Sequence, residues 1–185
     1  MARVDTSLAH RVAVVTGVSR RRGIGFAVAA RLAERGADLF LHHFSPHDAD
    51  QPWGADDVAE VVAQLRARQH PGARLEHASI DLADPDAADG LIARAVDFFG
   101  HLDVLVCNHA RSGGDGRLAA ITAEMLDTHW QVNARSTLLV TRAFAAQHDG
   151  REGGRVVWLT SGQLLGPMPD EIAYAASKAA LAGIT

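Results

Sequence analysis

The chain reads as an α/β fold built on a doubly wound parallel sheet, and three observations lead there. Short apolar runs alternate with segments of helical period from one end of the sequence to the other. The runs are continuous and rich in β-branched residues, the pattern of strands buried on both faces by helices. Residues of chemical interest (Gly17, His43, Asp81, Asn108 and Ser161) stand where these runs end. In such sheets ligands bind at the carboxyl ends of the strands, about the point where strand order reverses.

Each element has its own signal. Arg11 to Thr16 is a β-branched run that stops at Gly17. From Gly25 to Arg35 the apolar residues Phe26, Val28, Ala29, Leu32 and Ala33 recur at helical spacing, and Gly36 is placed to cap the end. Leu39 to Phe44 is a second apolar run. Ala55 to Gln69 reads as a helix ended by His70-Pro71-Gly72. Leu75 to Ile80 is a third strand, weakened by Glu76 and His77. Asp84-Pro85 opens a helix, an N-cap with proline at the first position, that runs to Phe99-Gly100. Val104 to Cys107 is a fourth strand. Thr122 caps a long helix carrying Met125, Leu126, Trp130, Leu138, Leu139 and Phe144. Val156 to Thr160 is a fifth strand, and a last helix begins near Tyr174.

Composition bounds the function classes. The 185 residues are 48% hydrophobic and 22% charged, with a net charge of −4. That balance suits one globular domain over residues 1–185 and points to neither nucleic acid nor an anionic membrane as partner. The single cysteine, Cys107, leaves no internal disulfide and fits a reducing compartment. The first ten residues lack the apolar core of a leader, and no apolar run approaches the roughly 20 residues that span a bilayer. A soluble cytoplasmic domain is the expectation.

Between the first strand and the first helix stands T-G-V-S-R-R-R-G-I-G, Thr16 to Gly25. Glycines let backbone approach a pyrophosphate, and a helix N-terminus offers free N–H groups and a positive dipole end. Gly17, Ser19, Arg20, Arg21, Gly23, Ile24 and Gly25 are the candidate contacts; the competing reading is a tight strand-to-helix turn. Arg20, Arg21 and Arg22 form either a solvated charged loop or a clamp for a 2′-phosphate, since guanidinium forks match phosphate oxygens. At the end of the second strand, where an NAD site places Asp or Glu, stand His42, His43, Phe44 and Ser45. With no carboxylate there, NADP is favoured over NAD, and His43 joins the candidate contacts.

Near the end of the chain, Tyr174 and Lys178 lie four residues apart and share one face of a helix. An ammonium beside a phenol favours the phenolate, which makes Tyr174 a usable proton donor and acceptor. Ser161, at a strand end, can offer a hydrogen bond to a substrate oxygen.

Taken in order, the glycine-rich turn, Asp81, Asn108, Asn133, Ser161 and the Tyr174/Lys178 pair resemble the short-chain dehydrogenase/reductase family over essentially the whole chain. The resemblance implies a Rossmann-like sheet of order 3-2-1-4-5. It implies that Gly17, Gly23 and Gly25 cradle a pyrophosphate and that Asp81, with Leu82, meets the adenine. Asn108 would line the adenosine ribose, and Ser161 would orient the substrate carbonyl or hydroxyl. Tyr174 would exchange the proton while Lys178 holds the nicotinamide ribose, and Asn133 would complete a water-mediated proton relay. The implied activity is hydride transfer between NADP(H) and a small-molecule carbonyl or secondary alcohol, by a homo-oligomer. A nucleotide-binding remnant or fragment is the alternative.

The sequence departs from the family pattern in four places. The turn is two residues longer than T-G-x-x-x-G-x-G. The usual N-N-A-G after strand four is C-N-H-A, Cys107 to Ala110, with His109 expected to pack and Cys107 to act as a small buried hydrophobe. Arg111 to Gly116 is a loop bordering the substrate side. Family members run on past a point equivalent to Thr185, so the resemblance implies truncation, with two strands and a closing loop missing.

Overall fold

The structure, a computed structural model, describes residues 6–185. The part of the leader reading that concerns residues 1–5 lies outside them. Five parallel strands, β1 (Val12–Val15), β2 (Asp38–His43), β3 (Leu75–Ser79), β4 (Val104–Cys107) and β5 (Arg155–Trp158), form one sheet. Their order, β3-β2-β1-β4-β5, is the one the resemblance implied. Seven α-helices are described: α1 (Ile24–Ala33), α2 (Ser45–Ala49), α3 (Val58–Arg66), α4 (Ala87–Phe99), α5 (Ala123–His129), α6 (Ser136–Gln147) and α7 (Ile172–Ala182).

Successive strand residues point to opposite faces, so each strand feeds two cores. Ala13, Val15, Leu39 and Leu41 pack with Phe26 and Ala29 of α1 and with Val61 and Leu65 of α3. Val12, Val14, Phe40 and Leu105 face the other way, onto Leu91 and Ile92 of α4 and Val140 and Phe144 of α6. This two-sided burial explains why the strands read as continuous apolar runs.

Element ends differ from expectation where local polar chemistry wins. The helix expected to open at Asp84-Pro85 begins at Ala87, because Asp84 Oδ1 accepts the Asp86 N–H at 2.9 Å and closes a turn first. The segment after β2, outside the elements expected from the sequence, winds into α2, with Pro46 in its first turn. Asp57 caps α3 by accepting the Ala59 N–H, so that helix spans Val58–Arg66 and not Ala55 to Gln69. Thr122 caps as read, accepting the Met125 N–H at 3.2 Å. The long helix it opens is interrupted by a π-helical turn over Trp130–Arg135, and such turns gather at functional sites. The last helix starts at Ile172, two residues ahead of Tyr174.

Candidate active site

The glycine-rich turn is held from both neighbouring strands. Gly17 has φ +73°, and a Cβ there would stand 2.8 Å from Asn108 Nδ2 and from the His109 Cα. A Cβ at Gly25 would collide with the Gly17 carbonyl oxygen. From the β4 side, Asn108 Nδ2 donates to Thr16 O at 3.1 Å and Gly17 O at 3.0 Å. From the β2 side, His42 Nδ1 accepts the Gly17 N–H at 3.2 Å while Nε2–H donates to Ile80 O at 2.8 Å. Burial pushes His42 down to about 4, so the ring is neutral and this tautomer follows.

Over the turn lies a cavity of about 330 Å³ at the carboxyl edge of the sheet. Of the sequence-predicted contacts, Gly17, Ser19, Arg20, Gly23, Ile24, Asp81, Leu82 and Asn108 line it. Gly25 packs beneath them against Gly17. Arg21 turns away, its guanidinium on Asp56 (3.0 Å) and Glu60 (2.9 Å), and borders a separate surface depression with Arg22. His43 is also diverted: its Nε2 meets His77 Nδ1 at 3.1 Å. On β2 it shares the parity of Leu39 and Leu41, whereas His42 shares that of Phe40 and lines the cavity. Strand alternation was the signal that separates these two histidines.

The end of β2 holds no carboxylate from His42 to Ser45, yet one stands three residues further on. Helix α2 brings Asp48 into the cavity wall, where it accepts from Ser19 Oγ and Trp53 Nε1 (2.9 Å) and forms an ion pair with Arg20 Nε (3.2 Å). Arg20 also lies over the Trp53 ring, 5.0 Å from its centroid. His109 is buried and neutral as well, held well below its ordinary range by burial. Ser136 Oγ gives its proton to Val132 O (2.5 Å), so His109 Nε2–H donates to Ser136 (2.7 Å) and Nδ1 accepts from Thr16 Oγ (2.6 Å). Its role is to pack and bridge. Burial raises the Cys107 thiol to about 12, which leaves it protonated and inert.

Tyr174 and Lys178 stand on α7 as the spacing requires, with the Lys178 Nζ 5.9 Å from the phenol ring centroid. Lys178 is 2% exposed, and burial lowers its pKa to about 8. Its Nζ donates to Leu159 O at 2.9 Å, just past β5. Ser161 follows on that same strand end and leads the 3-10 turn Gly162–Leu164, on which α7 packs.

Two long-range contacts set the start of α7. Asp115 accepts the Ala173 N–H on Oδ1 (3.0 Å) and the Tyr174 N–H on Oδ2 (2.7 Å), a helix cap delivered from the loop after β4. Burial pushes the Asp115 carboxyl up, but the N–H groups of Tyr174, Ala173 and Gly116 outweigh it and hold the group below the usual carboxylate range. Asn133, fully buried in the π-helical turn, accepts the Arg111 N–H (2.6 Å) and donates from Nδ2 to Arg111 O (3.1 Å) and Ser177 Oγ (2.9 Å). Ser177 in turn donates to Tyr174 O at 2.7 Å. A hydrogen-bond path thus ties the cavity wall to the turn of helix that carries the tyrosine. Neither Asp48 nor Asp115 has a local sequence signal. No group of metal-ligating side chains occurs among the described residues.

The family model for short chain dehydrogenases matches residues 11–185. The chain belongs to the short chain dehydrogenase family. It is 34% identical over 178 residues to the uncharacterized oxidoreductase YjdA of Bacillus subtilis, covering 95% of this chain and 66% of that one. An uncharacterized NAD-dependent oxidoreductase of Mycobacterium tuberculosis is 36% identical over 184 residues, covering 97% of this chain and 65% of the relative. Among solved structures, a short chain dehydrogenase of Burkholderia cenocepacia in complex with NADP is 35% identical. It superposes with a TM-score of 0.79 over 96% of this chain and 66% of its own. The chain therefore spans just under two thirds of the length of the first relatives it matches. Among the described residues no helix is long and apolar enough to cross a membrane.

Proposed function

We propose that this chain carries the dinucleotide site and the proton-transfer residues of an NADP(H)-dependent oxidoreductase acting on a small carbonyl or secondary alcohol. The observation that carries the reading is the Tyr174/Lys178 pair: a buried ammonium 5.9 Å from the centroid of the phenol ring, on a helix start fixed by Asp115. The cavity residues fit a dinucleotide, because the Gly17 and Gly25 positions leave no room for side chains where backbone must approach a pyrophosphate. The nicotinamide, when bound, supplies or accepts the hydride. The chain's own residues handle the proton. Lys178 stabilises negative charge on the Tyr174 oxygen, Tyr174 gives or takes the proton of the substrate oxygen, and Ser161 hydrogen-bonds that oxygen. Asn133 has its side chain committed to Arg111 and Ser177, so in this reading it serves the relay by holding Tyr174 in place.

Preference for NADP(H) is supported by Arg20. The carboxylate beside it is already engaged by Ser19, Trp53 and Arg20. In this reading Asp48 orients the guanidinium and leaves its outer nitrogens to a 2′-phosphate. The relatives' names divide, one structure holding NADP and one relative being called NAD-dependent.

A second reading is a nucleotide-binding remnant without turnover, in which the cavity over the glycine-rich turn serves binding alone. One experiment separates the two. NADPH and NADH are titrated by fluorescence, and NADPH oxidation is followed with a panel of ketones, for the wild type and Tyr174→Phe. The oxidoreductase reading expects NADPH bound at least about tenfold more tightly than NADH, the value of one charge-assisted hydrogen bond. It also expects ketone reduction that Tyr174→Phe abolishes without loss of binding. Binding without reduction in the wild type establishes the remnant. Equal affinities, or tighter NADH, overturn the NADP preference.

A further inference from the structure

Arg111 occupies the position directly after the C-N-H-A segment, and the hydride-transfer reading gives it no role. Arg111 lines the same cavity as the glycine-rich turn. Its backbone is locked on both sides by buried Asn133, through the Arg111 N–H at 2.6 Å and the Arg111 carbonyl at 3.1 Å. The next residue reaches across the cavity, with the Ser112 N–H 3.5 Å from His47 Nε2, so the loop stands over the turn.

The charge of Arg111 is unanswered. Its Nε is buried without a hydrogen-bond partner, and among the described residues no carboxylate lies within ion-pair distance of it. The other arginine of the cavity, Arg20, has Asp48 at 3.2 Å, and Arg21 has Asp56 and Glu60. Asp115, four residues on, is occupied by the N–H groups of α7. The unbalanced charge is felt in the cavity: burial lowers the pKa of His47, and Arg111 adds to that lowering. A half-buried cation with no counterion is costly, and the cost is relieved where a ligand brings the anion.

We propose that Arg111 is the counter-charge for a phosphate of the bound dinucleotide. The inference rests on the dinucleotide reading above and deepens it. Arg111 stands on the β4 side of the turn and Arg20 on the β2 side, so a dinucleotide lying across the turn meets a guanidinium at each flank. Planar forks of this kind pair with phosphate oxygens through two parallel N–H donors.

The test is direct binding, with no turnover required. NADPH, NADH, ADP and 2′,5′-ADP are titrated calorimetrically against the wild type, Arg111→Met and Arg111→Lys at two salt concentrations. Arg111→Met should weaken binding about ten- to a hundredfold, with a smaller loss at high salt. Arg111→Lys should recover part of it, as a point charge without the fork. Loss shared by NADPH, NADH and ADP places the contact on the pyrophosphate, and loss confined to NADPH and 2′,5′-ADP places it on the 2′-phosphate. The thermal midpoint of ligand-free Arg111→Met should equal or exceed that of the wild type, since the charge has no protein partner to lose. Unchanged affinity for all four ligands, or a lowered midpoint whose affinity loss Arg111→Lys does not relieve, overturns the proposal. A wild type that binds none of the four overturns the dinucleotide reading on which it stands.

Discussion

Strands β1 and β5 are each four residues long and rich in valine, yet every residue of β1 is buried, while Val156 and Val157 of β5 are 42% and 47% exposed. The difference lies in neighbours. β1 is hydrogen-bonded to β2 and β4 and covered on both faces, whereas β5 pairs with β4 alone. The two halves of the candidate site inherit this contrast. The glycine-rich turn hangs from β1 and is clamped by His42 and Asn108 from the strands on either side. The Tyr174/Lys178 pair hangs from the β5 side, anchored through Leu159 O and through the Asp115 cap. The residues proposed for dinucleotide binding and those proposed for proton transfer thus rest on strands of unequal burial and pairing, and each set can be disturbed separately.

The largest expected effect tests the contrast itself. Leu41→Ala, at a side chain 1% exposed in the inner sheet, should cost about 2–5 kcal/mol of unfolding free energy. Val157→Ala in β5 should stay within about 0.5 kcal/mol. Urea unfolding measures both, and similar losses would erase the distinction between the strands.

Acid should reach the β1 side first. His42 titrates near 6.5 when unfolded and at about 4 when folded, so between those values the unfolded chain binds the extra proton. Stability therefore falls as pH drops from about 6.5 to about 4, by about 3 kcal/mol for this residue at 1.36 kcal/mol per unit. His43, His47 and His109 are lowered by burial in the same sense. Protonation of the folded ring removes the acceptor that His42 offers to the Gly17 N–H, so nucleotide affinity should hold through most of that window and decline only as pH approaches about 4. Unfolding midpoints from well above the ordinary histidine value down to about 4, and NADPH titrations down to about 4, check this. A flat profile in both would refute it.

The smallest effect sharpens the comparison on the β5 side. Asp115→Ala removes the cap from α7 and should cost about 2 kcal/mol, the upper end for an N-cap. Amide hydrogen exchange should accelerate over the first turn of α7, and NADPH affinity should hold within about twofold, since the residue touches α7 and not the cavity. Asp115→Asn, which keeps one acceptor oxygen, should restore part of the protection. Loss of nucleotide binding in Asp115→Ala would show that the two halves are coupled after all.

How much was legible in the sequence follows the range of the interactions involved. Strand and helix alternation, the Gly17 turn, the Thr122 cap and the Tyr174/Lys178 pairing are written in residues a few positions apart. Periodicity, backbone freedom and helix geometry act at that distance, so these readings survive in the structure. The assignment of His43 went astray because a strand end exposes two adjacent residues to opposite sides, and the choice between His42 and His43 depends on which face the cavity occupies.

By itself, then, the sequence determined the layered α/β architecture, the strand order through its resemblance, and the placement of Tyr174 and Lys178 on one helix. Tertiary structure alone decided what surrounds them. It brought Asp48 to Ser19 across 29 residues and Asp115 to Tyr174 across 59, sent Arg21 to surface carboxylates, and left Arg111 unpaired beside the turn. The physical reason is that helix and strand patterns arise from neighbours along the chain, whereas a charge finds its partner only among the groups that folding brings near it. A carboxylate at position 48 or 115 carries no local mark of its partner, and an exposed valine in β5 has the same letter as a buried one in β1.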